Sequence, residues 1–257
     1  MKRHAFLLKE LVKRDFQGRY AGSVLGFFWS FVQPLWLLLL FTFVFSSVMK
    51  VTPTRIHTTH FASFLFCGLL PWMALQEGVL RGSTAITDNA ALVKKLRFPA
   101  EILVLAVVVA ALLHEAIAAV IFLGVLAATG DLSLRGLPLL LLALPLQVAL
   151  TLGLGLLLGA VQVFFRDTAQ LLAMALTGWF YLTPIVYPPD YVPARFQRLI
   201  ELNPLTSLVA LYREAFLGGG GLAAVPGKGA LVVVGAVLLS CGFMLFRRLK
   251  SAFVDEI

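Results

Sequence analysis

The chain has 257 residues, 60% of them hydrophobic and only 13% charged, with a mean hydropathy of +0.93 and a net charge of +8. A water-soluble domain of this size and composition would expose large apolar patches, so the sequence describes an integral membrane protein. Lipid leaves no partner for open backbone groups, which restricts spanning segments to helices and closed barrels. Runs such as 137–165, almost continuous in Leu, Ala, Val and Gly, lack the alternation a barrel strand needs.

Residues 5–20, AFLLKELVKRDFQGRY, bring Phe6, Leu7, Leu11 and Val12 near one stripe and set Lys9, Lys13 and Arg14 on other faces, the pattern of an amphipathic helix lying in the interface. The N-terminus is basic, but its first apolar stretch far exceeds a signal-peptide core and has no small-residue cleavage site behind it, so it is expected to be retained. Six spans are expected, over 24–49, 61–80, 101–129, 137–164, 169–187 and 229–246. An even number returns the C-terminus to the starting side.

Two connections stand out. Residues 82–99, GSTAITDNAALVKKLRFP, are long enough for a short helix across one membrane face, and Pro99 marks the start of the next span. Residues 188–228 hold Pro188, Pro189, Pro193 and Pro204 around the semi-apolar SLVALYREAFL, which predicts a break followed by short re-entrant or interfacial helices. The GGGG at 218–221 reads as a flexible turn.

Lys and Arg divide unevenly between the two sets of flanks. The N-terminal arm, the 81–97 linker, Arg166 and the tail together carry fourteen, and the opposite flanks carry seven: Lys50, Arg55, Arg135, Arg195, Arg198, Arg213 and Lys228. The positive-inside bias puts both termini in the cytoplasm. The net charge is accounted for by topology and attraction to anionic membrane lipids, and nothing in the sequence has the form of a nucleic-acid module. Cys67 and Cys241 both fall inside apolar runs, which argues against a disulfide framework, and His57 and His60 have no Cys or carboxylate companion to complete a metal site. No Gly-x4-Gly-Lys-Ser/Thr phosphate loop occurs. The chain is expected to need no cofactor, no metal and no catalytic residue of its own.

Gly22 and Gly26, four apart, and Gly155 and Gly159 are expected to admit a neighbouring helix closely. Glu115, beside His114 in the middle of the third span, must face protein or a water path. A satisfied contact inside the bundle is the reading preferred over a proton relay.

Taken in order, Arg19-Tyr20, Ser23, Leu25-Gly26, Trp29 and Pro34, then Asn89, Leu92, Lys95, Phe98-Pro99 and Glu101, then FFRD at 164–167, WFYLTPIVY at 179–187 and Asn203-Pro204 resemble the membrane subunits of ABC-2-type polysaccharide exporters. These are the permeases for O-antigen, teichoic acid and capsule chains, and the opening is closer to the O-antigen and teichoic acid branch. The resemblance runs from about residue 5 to the C-terminus. It implies one all-α domain over 1–257, with an N-terminal interface helix (1–22), a cytoplasmic coupling helix (84–95) and an exterior gate segment (188–216). It further implies a homodimer in the bacterial inner membrane, two ABC ATPase subunits that bring ATP and Mg, and a lipid-linked polysaccharide as cargo. Whether a periplasmic partner docks outside is left open.

Within that frame, ATPase coupling falls on Thr84, Asp88, Asn89, Leu92 and Lys95. Arg14, Arg19 and Tyr20 become a substrate entrance, where guanidinium groups meet a lipid pyrophosphate; snorkelling toward anionic lipid is the competing account of the same cations. Phe28 and Trp29, with Trp179, Phe180, Tyr181 and Tyr187, become channel-lining residues, because ring faces pack on sugar C–H groups; interfacial anchoring competes. Two other functions were weighed: an ABC-2 efflux permease for a small drug or lipid, and an intramembrane glycosyl- or acyltransferase built on His114-Glu115.

Overall fold

The computed structural model describes residues 2–19, 22–48, 61–95, 99–218 and 221–257. Tyr20, His57, His60 and Phe98 lie outside the described residues, as do the side chains of Arg19 and Lys95. Every regular element among the described residues is helical: α1 (Lys2–Arg19), α2 (Trp29–Phe41), α3 (Phe61–Thr84), α4 (Ala90–Lys95), α5 (Glu101–Thr129) and α6 (Leu140–Phe164) in the first part. There follow α7 (Thr168–Leu182), α8 (Ala194–Leu202), α9 (Pro204–Leu217), α10 (Lys228–Leu249) and α11 (Phe253–Glu256).

Four of the six expected spans are long and apolar enough to cross a membrane: α3, α5, α10, and α6 with the turn ahead of it, Leu137–Phe164. The other two hold shorter helices. At about 1.5 Å per residue, the 15 residues of α7 rise about 22 Å, short of the roughly 30 Å hydrocarbon core. Thr183 is extended, and Pro184 behind it cannot continue a helix. In the first apolar run α2 starts at Trp29 and contains Pro34, then loosens into a π-helix over Thr42–Val48. There the Thr42 hydroxyl donates to the Leu38 carbonyl at 2.8 Å.

The expectation for Gly22 and Gly26 is corrected. Both have positive φ, +80° and +48°, and a Cβ on either would meet nothing within 4 Å among the described residues; they shape the turn into α2, and no described helix packs against them. Gly155 and Gly159 do admit a neighbour closely, α3, since a Cβ at Gly159 would lie 3.0 Å from the Gly82 carbonyl oxygen, and α6 also closely approaches α10. A Cβ at Gly153 would lie 2.6 Å from the Leu238 carbonyl carbon, so the two backbones meet where any side chain would force them apart.

The most enclosed helix, α3, is packed by α5, α6, α7 and α9. Around it Phe66, Phe122, Tyr212 and Phe216 form the main core, with Phe66 and Phe122 ring centroids 4.9 Å apart. A second core closes the end that carries α1 and α11: Leu11, Ile86, Val104, Phe246 and Phe253 are buried together there. That cluster seats α1 across α5 and folds the C-terminal turn beneath α10. At the opposite end α8 is an exposed amphipathic helix, whereas α9 is mostly buried among α3, α6 and α10.

Candidate functional site

The segment expected to form one coupling helix is divided. α3 runs to Thr84, a turn buries Ala85 and Ile86, a 3-10 turn spans Thr87–Asn89, and only Ala90–Lys95 is α-helical. The break is stitched by side chains that compete with helix carbonyl bonds. Thr84 Oγ1 donates to Asp88 Oδ2 at 2.7 Å, Thr87 Oγ1 to the Thr84 carbonyl at 2.9 Å, and Asn89 Nδ2 to the Ala85 carbonyl at 2.8 Å. Asp88, Ala91 and Lys94 are exposed, and Leu92 is half-buried. A polar ledge thus faces outward from an anchored apolar floor.

This ledge touches α1. Arg14 Nη2 donates to Asn89 Oδ1 at 2.6 Å, joining one residue expected at a substrate entrance to one expected at the ATPase surface. One residue further, Asp15 pairs with Arg81 in a two-point contact, with Nη1 donating to Oδ2 at 3.0 Å, and Arg81 also reaches Glu77 at 3.2 Å. Paired donors from one guanidinium fix orientation as well as distance. The sequence signal for this link was an acid on the interfacial helix and a cation in the last turn of a span, which indicates charge but not partnership.

The aromatic candidates take different positions. In the turn ahead of α2, Phe28 is 68% exposed, and at the start of α2 Trp29 is 36% exposed, with its indole N–H donating to Ser23 Oγ at 2.9 Å. On α7, Tyr181 is 64% exposed, while Trp179 and Phe180 pack partly into the core, Phe180 lying 5.4 Å from the Trp72 ring. The Trp179 indole N–H donates to Asn203 Oδ1 at 2.9 Å, and Asn203 Nδ2 donates to Thr183 Oγ1 at 2.9 Å. The same Asn203 oxygen caps α9 through the Leu205 N–H at 3.1 Å, so the end of α7 and the start of α9 share one side chain. Tyr187 donates to the Tyr181 carbonyl at 2.9 Å, closing the turn between them.

Two polar centres, one half-buried and one buried, hold α9. Arg213, counted from sequence as a solvated flank cation, is caged: Nη1 donates to the Pro184 carbonyl at 2.9 Å and Nη2 to that of Ile185 at 2.8 Å. The guanidinium lies 3.5 Å from the Phe64 ring centroid. The backbone freed by the Pro184 break is thereby satisfied from α9. Deeper in, Glu115 is 6% exposed and accepts from Gln147 Nε2 at 2.5 Å, while the Tyr212 hydroxyl donates to Gln147 Oε1. One Glu115 oxygen, Oε2, is therefore partnered within the bundle, while Oε1 is buried without a hydrogen-bond partner among the described residues. Its neighbour His114 has other partners, its Nε2 3.3 Å from Ser30 Oγ and its Nδ1 3.9 Å from Glu77, and both residues line one cavity of about 150 Å³ between α2, α3 and α5.

Comparison with known proteins agrees with this all-helical membrane architecture. Residues 7–217 match the family model described as ABC-2 type transporter. The chain is 34% identical over 253 residues to an O-antigen export system permease protein of Myxococcus xanthus, covering 98% of this chain and 95% of that one. It is 30% identical over 253 residues to an O-antigen export system permease protein of Klebsiella pneumoniae, covering 97% and 94%. A polysialic acid transport protein of Escherichia coli is 25% identical over 250 residues, covering 97% and 95%. With its four long apolar helices and a family match over most of its length, this chain belongs to the ABC-2 type transporter family of multi-pass membrane proteins.

Proposed function

We propose that this chain is the membrane subunit of an ATP-driven exporter that carries a lipid-linked polysaccharide, of the O-antigen, teichoic acid or capsule kind, across the bacterial inner membrane. The observation that carries the reading is the 34% identity, along nearly the whole of both chains, to an O-antigen export permease. Both termini lie in the cytoplasm, and two copies enclose the path. Support for a homodimer comes from the apolar faces that α2 and α7 leave uncovered, among them Trp36, Leu39, Leu171 and Met174. Trp29 and Tyr181 belong to those same exposed faces, and Phe28 is exposed in the turn ahead of α2, where rings would be available to a sugar chain.

Separate ATPase subunits, carrying ATP and Mg, grip the ledge at Thr84, Asp88, Asn89, Leu92 and Lys95. Arg14 reaches that ledge directly, so movement of the ledge is passed to α1 and to the entrance formed with Arg19 and Tyr20. The segment 188–216 gates the exterior, with α9 held through Asn203 and Arg213. The reading is tested by purifying the chain with its ATPase and adding lipid-linked glycan. ATP hydrolysis that rises with the glycan and not with small apolar drugs supports it; a chain that transports without any ATPase overturns it.

A further inference from the structure

A groove of about 630 Å³ runs along the side of the molecule between α1, α2 and α5, within the size range of ligand sites. Its walls are apolar, with Phe16 from α1, Phe31 from α2, and Ile117 and Val120 from α5. The polar groups on its rim are Lys9 and Lys13, four residues apart and so on one face of α1, and no carboxylate lines it among the described residues. An occupant therefore needs an apolar body and an anionic head.

Depth fits the same requirement. At about 1.5 Å per residue the 29 residues of α5 rise about 43 Å, more than the roughly 30 Å hydrocarbon core, so its ends stand among headgroups. α1 packs across α5, with Leu11 and Arg14 beside Leu103 and Val107 near its start and the groove about two to four turns further along, around the middle of the helix. The lysine stems can lie along the groove and carry their ammonium groups toward the nearer headgroups, with the groove itself at acyl-chain depth.

We propose that this groove binds one anionic membrane phospholipid, its phosphate held by Lys9 and Lys13 and an acyl chain laid against Phe16, Phe31, Ile117 and Val120. A second copy of this chain, itself at +8, is the poorer electrostatic match. The lipid-linked cargo is disfavoured as the occupant because none of the candidate pathway rings, Phe28, Trp29, Trp179 or Tyr181, lines the groove. The bound lipid would brace α1 against α2 and α5 on the side opposite its contact with Asn89.

The test uses the full chain with its ATPase subunits in phosphatidylcholine nanodiscs. These are doped with a small fraction of diazirine-tagged phosphatidylglycerol or, separately, of diazirine-tagged phosphatidylcholine, and labelled peptides are mapped. The phosphatidylglycerol probe should label α1 and residues 113–120 about fivefold more than the phosphatidylcholine probe. The double variant Lys9→Gln, Lys13→Gln should reduce that ratio to about one, and Ala116→Phe should block labelling by filling the groove. Equal labelling by the two probes, an unchanged ratio in the double Gln variant, or no labelling in the assembled complex because protein covers the groove would each overturn it. So would displacement of the probe by a polyprenyl pyrophosphate at concentrations where untagged phosphatidylglycerol has no effect. The readout is lipid capture, so its failure is separate from failure of the export reading.

Discussion

The side-chain oxygen of Asn89, on the turn that follows α3, accepts a 2.6 Å hydrogen bond from the guanidinium of Arg14 on α1. An exposed charged hydrogen bond of this kind contributes about 1 kcal/mol, too little to hold the fold and enough to shift the balance between two arrangements of a small helix. Arg14→Ala and Asn89→Ala should each lower polysaccharide export several-fold while the ATPase still co-purifies, and the double variant should be no worse than either single one. Additive losses in export would show that the two residues act separately. Deleting 84–95 would be a poor test of the same surface, because it removes Ala85 and Ile86 from the core. Exposed changes such as Asp88→Arg with Lys94→Glu address ATPase binding without that cost.

The neighbouring Asp15–Arg81 pair is less exposed, 13% on the acid and 39% on the cation, and makes two parallel contacts. Asp15→Ala should destabilise the docking of α1 by about 1–2 kcal/mol, read as faster proteolysis within residues 2–19 and a lower melting temperature of the purified chain. The swap Asp15→Arg with Arg81→Asp should recover about half of that loss or more. Arg81→Asp alone should be the worst of the set, because it leaves like charges at Asp15 and Glu77 facing the new carboxylate.

Much of the bundle was legible because membrane helices announce themselves locally. The runs at 61–80, 101–129, 137–164 and 229–246 are predominantly apolar, and length with composition identifies them as candidate spans. The proline-rich stretch from Pro188 onward marks a break, but α7 already ends at Leu182 ahead of Pro184, inside the span expected over 169–187; Pro34, Pro71 and Pro145 are carried inside helices, so proline alone does not place the stop. What periodicity did not reveal was the choice of distant partners. Arg213 reads as a solvated cation until Pro184 and Ile185 are seen to leave carbonyls for it, and Trp179 reads as an anchor or a lining ring until Asn203 meets its N–H. Gly22 and Gly26 have helix-packing spacing, yet their positive φ values put them in a turn, a distinction set by backbone conformation and invisible in the spacing.

Trp179 and Tyr181 sit two residues apart on α7 and are expected to fail in different ways. Trp179→Phe keeps a ring but removes the donor to Asn203, so it should loosen the α7–α9 junction by about 1 kcal/mol and resemble Asn203→Ala in lowering thermal stability. Tyr181→Ala removes an exposed ring and should leave stability within about 0.5 kcal/mol while reducing surface polysaccharide. Normal polysaccharide display by Tyr181→Ala would take that ring out of the pathway. Full stability of Trp179→Phe would mean that the shared Asn203 does not hold the two helices together.

The buried centre formed by Glu115, Gln147 and Tyr212 joins α5, α6 and α9, and its members should not be equivalent to mutation. Gln147 donates to the carboxylate and accepts from the phenol, so Gln147→Leu strips both neighbours at once and strands Glu115 with no donor from α6. Leaving a buried polar group without its partner costs about 1–3 kcal/mol, and this variant should have lower thermal stability and reduced expression in the membrane. Glu115→Gln keeps the shape and can still accept from Gln147, so it should be well tolerated, and Tyr212→Phe should cost about 1–3 kcal/mol by leaving Gln147 Oε1 without its donor. Export measured in vesicles separates structure from proton transfer: with ATP supplied, Glu115→Gln should transport at close to the unmodified rate, and collapsing the proton gradient should change neither protein. A Glu115→Gln variant that folds, binds its ATPase and yet stops transporting would assign the carboxylate a role in the transport cycle beyond holding α9 in place.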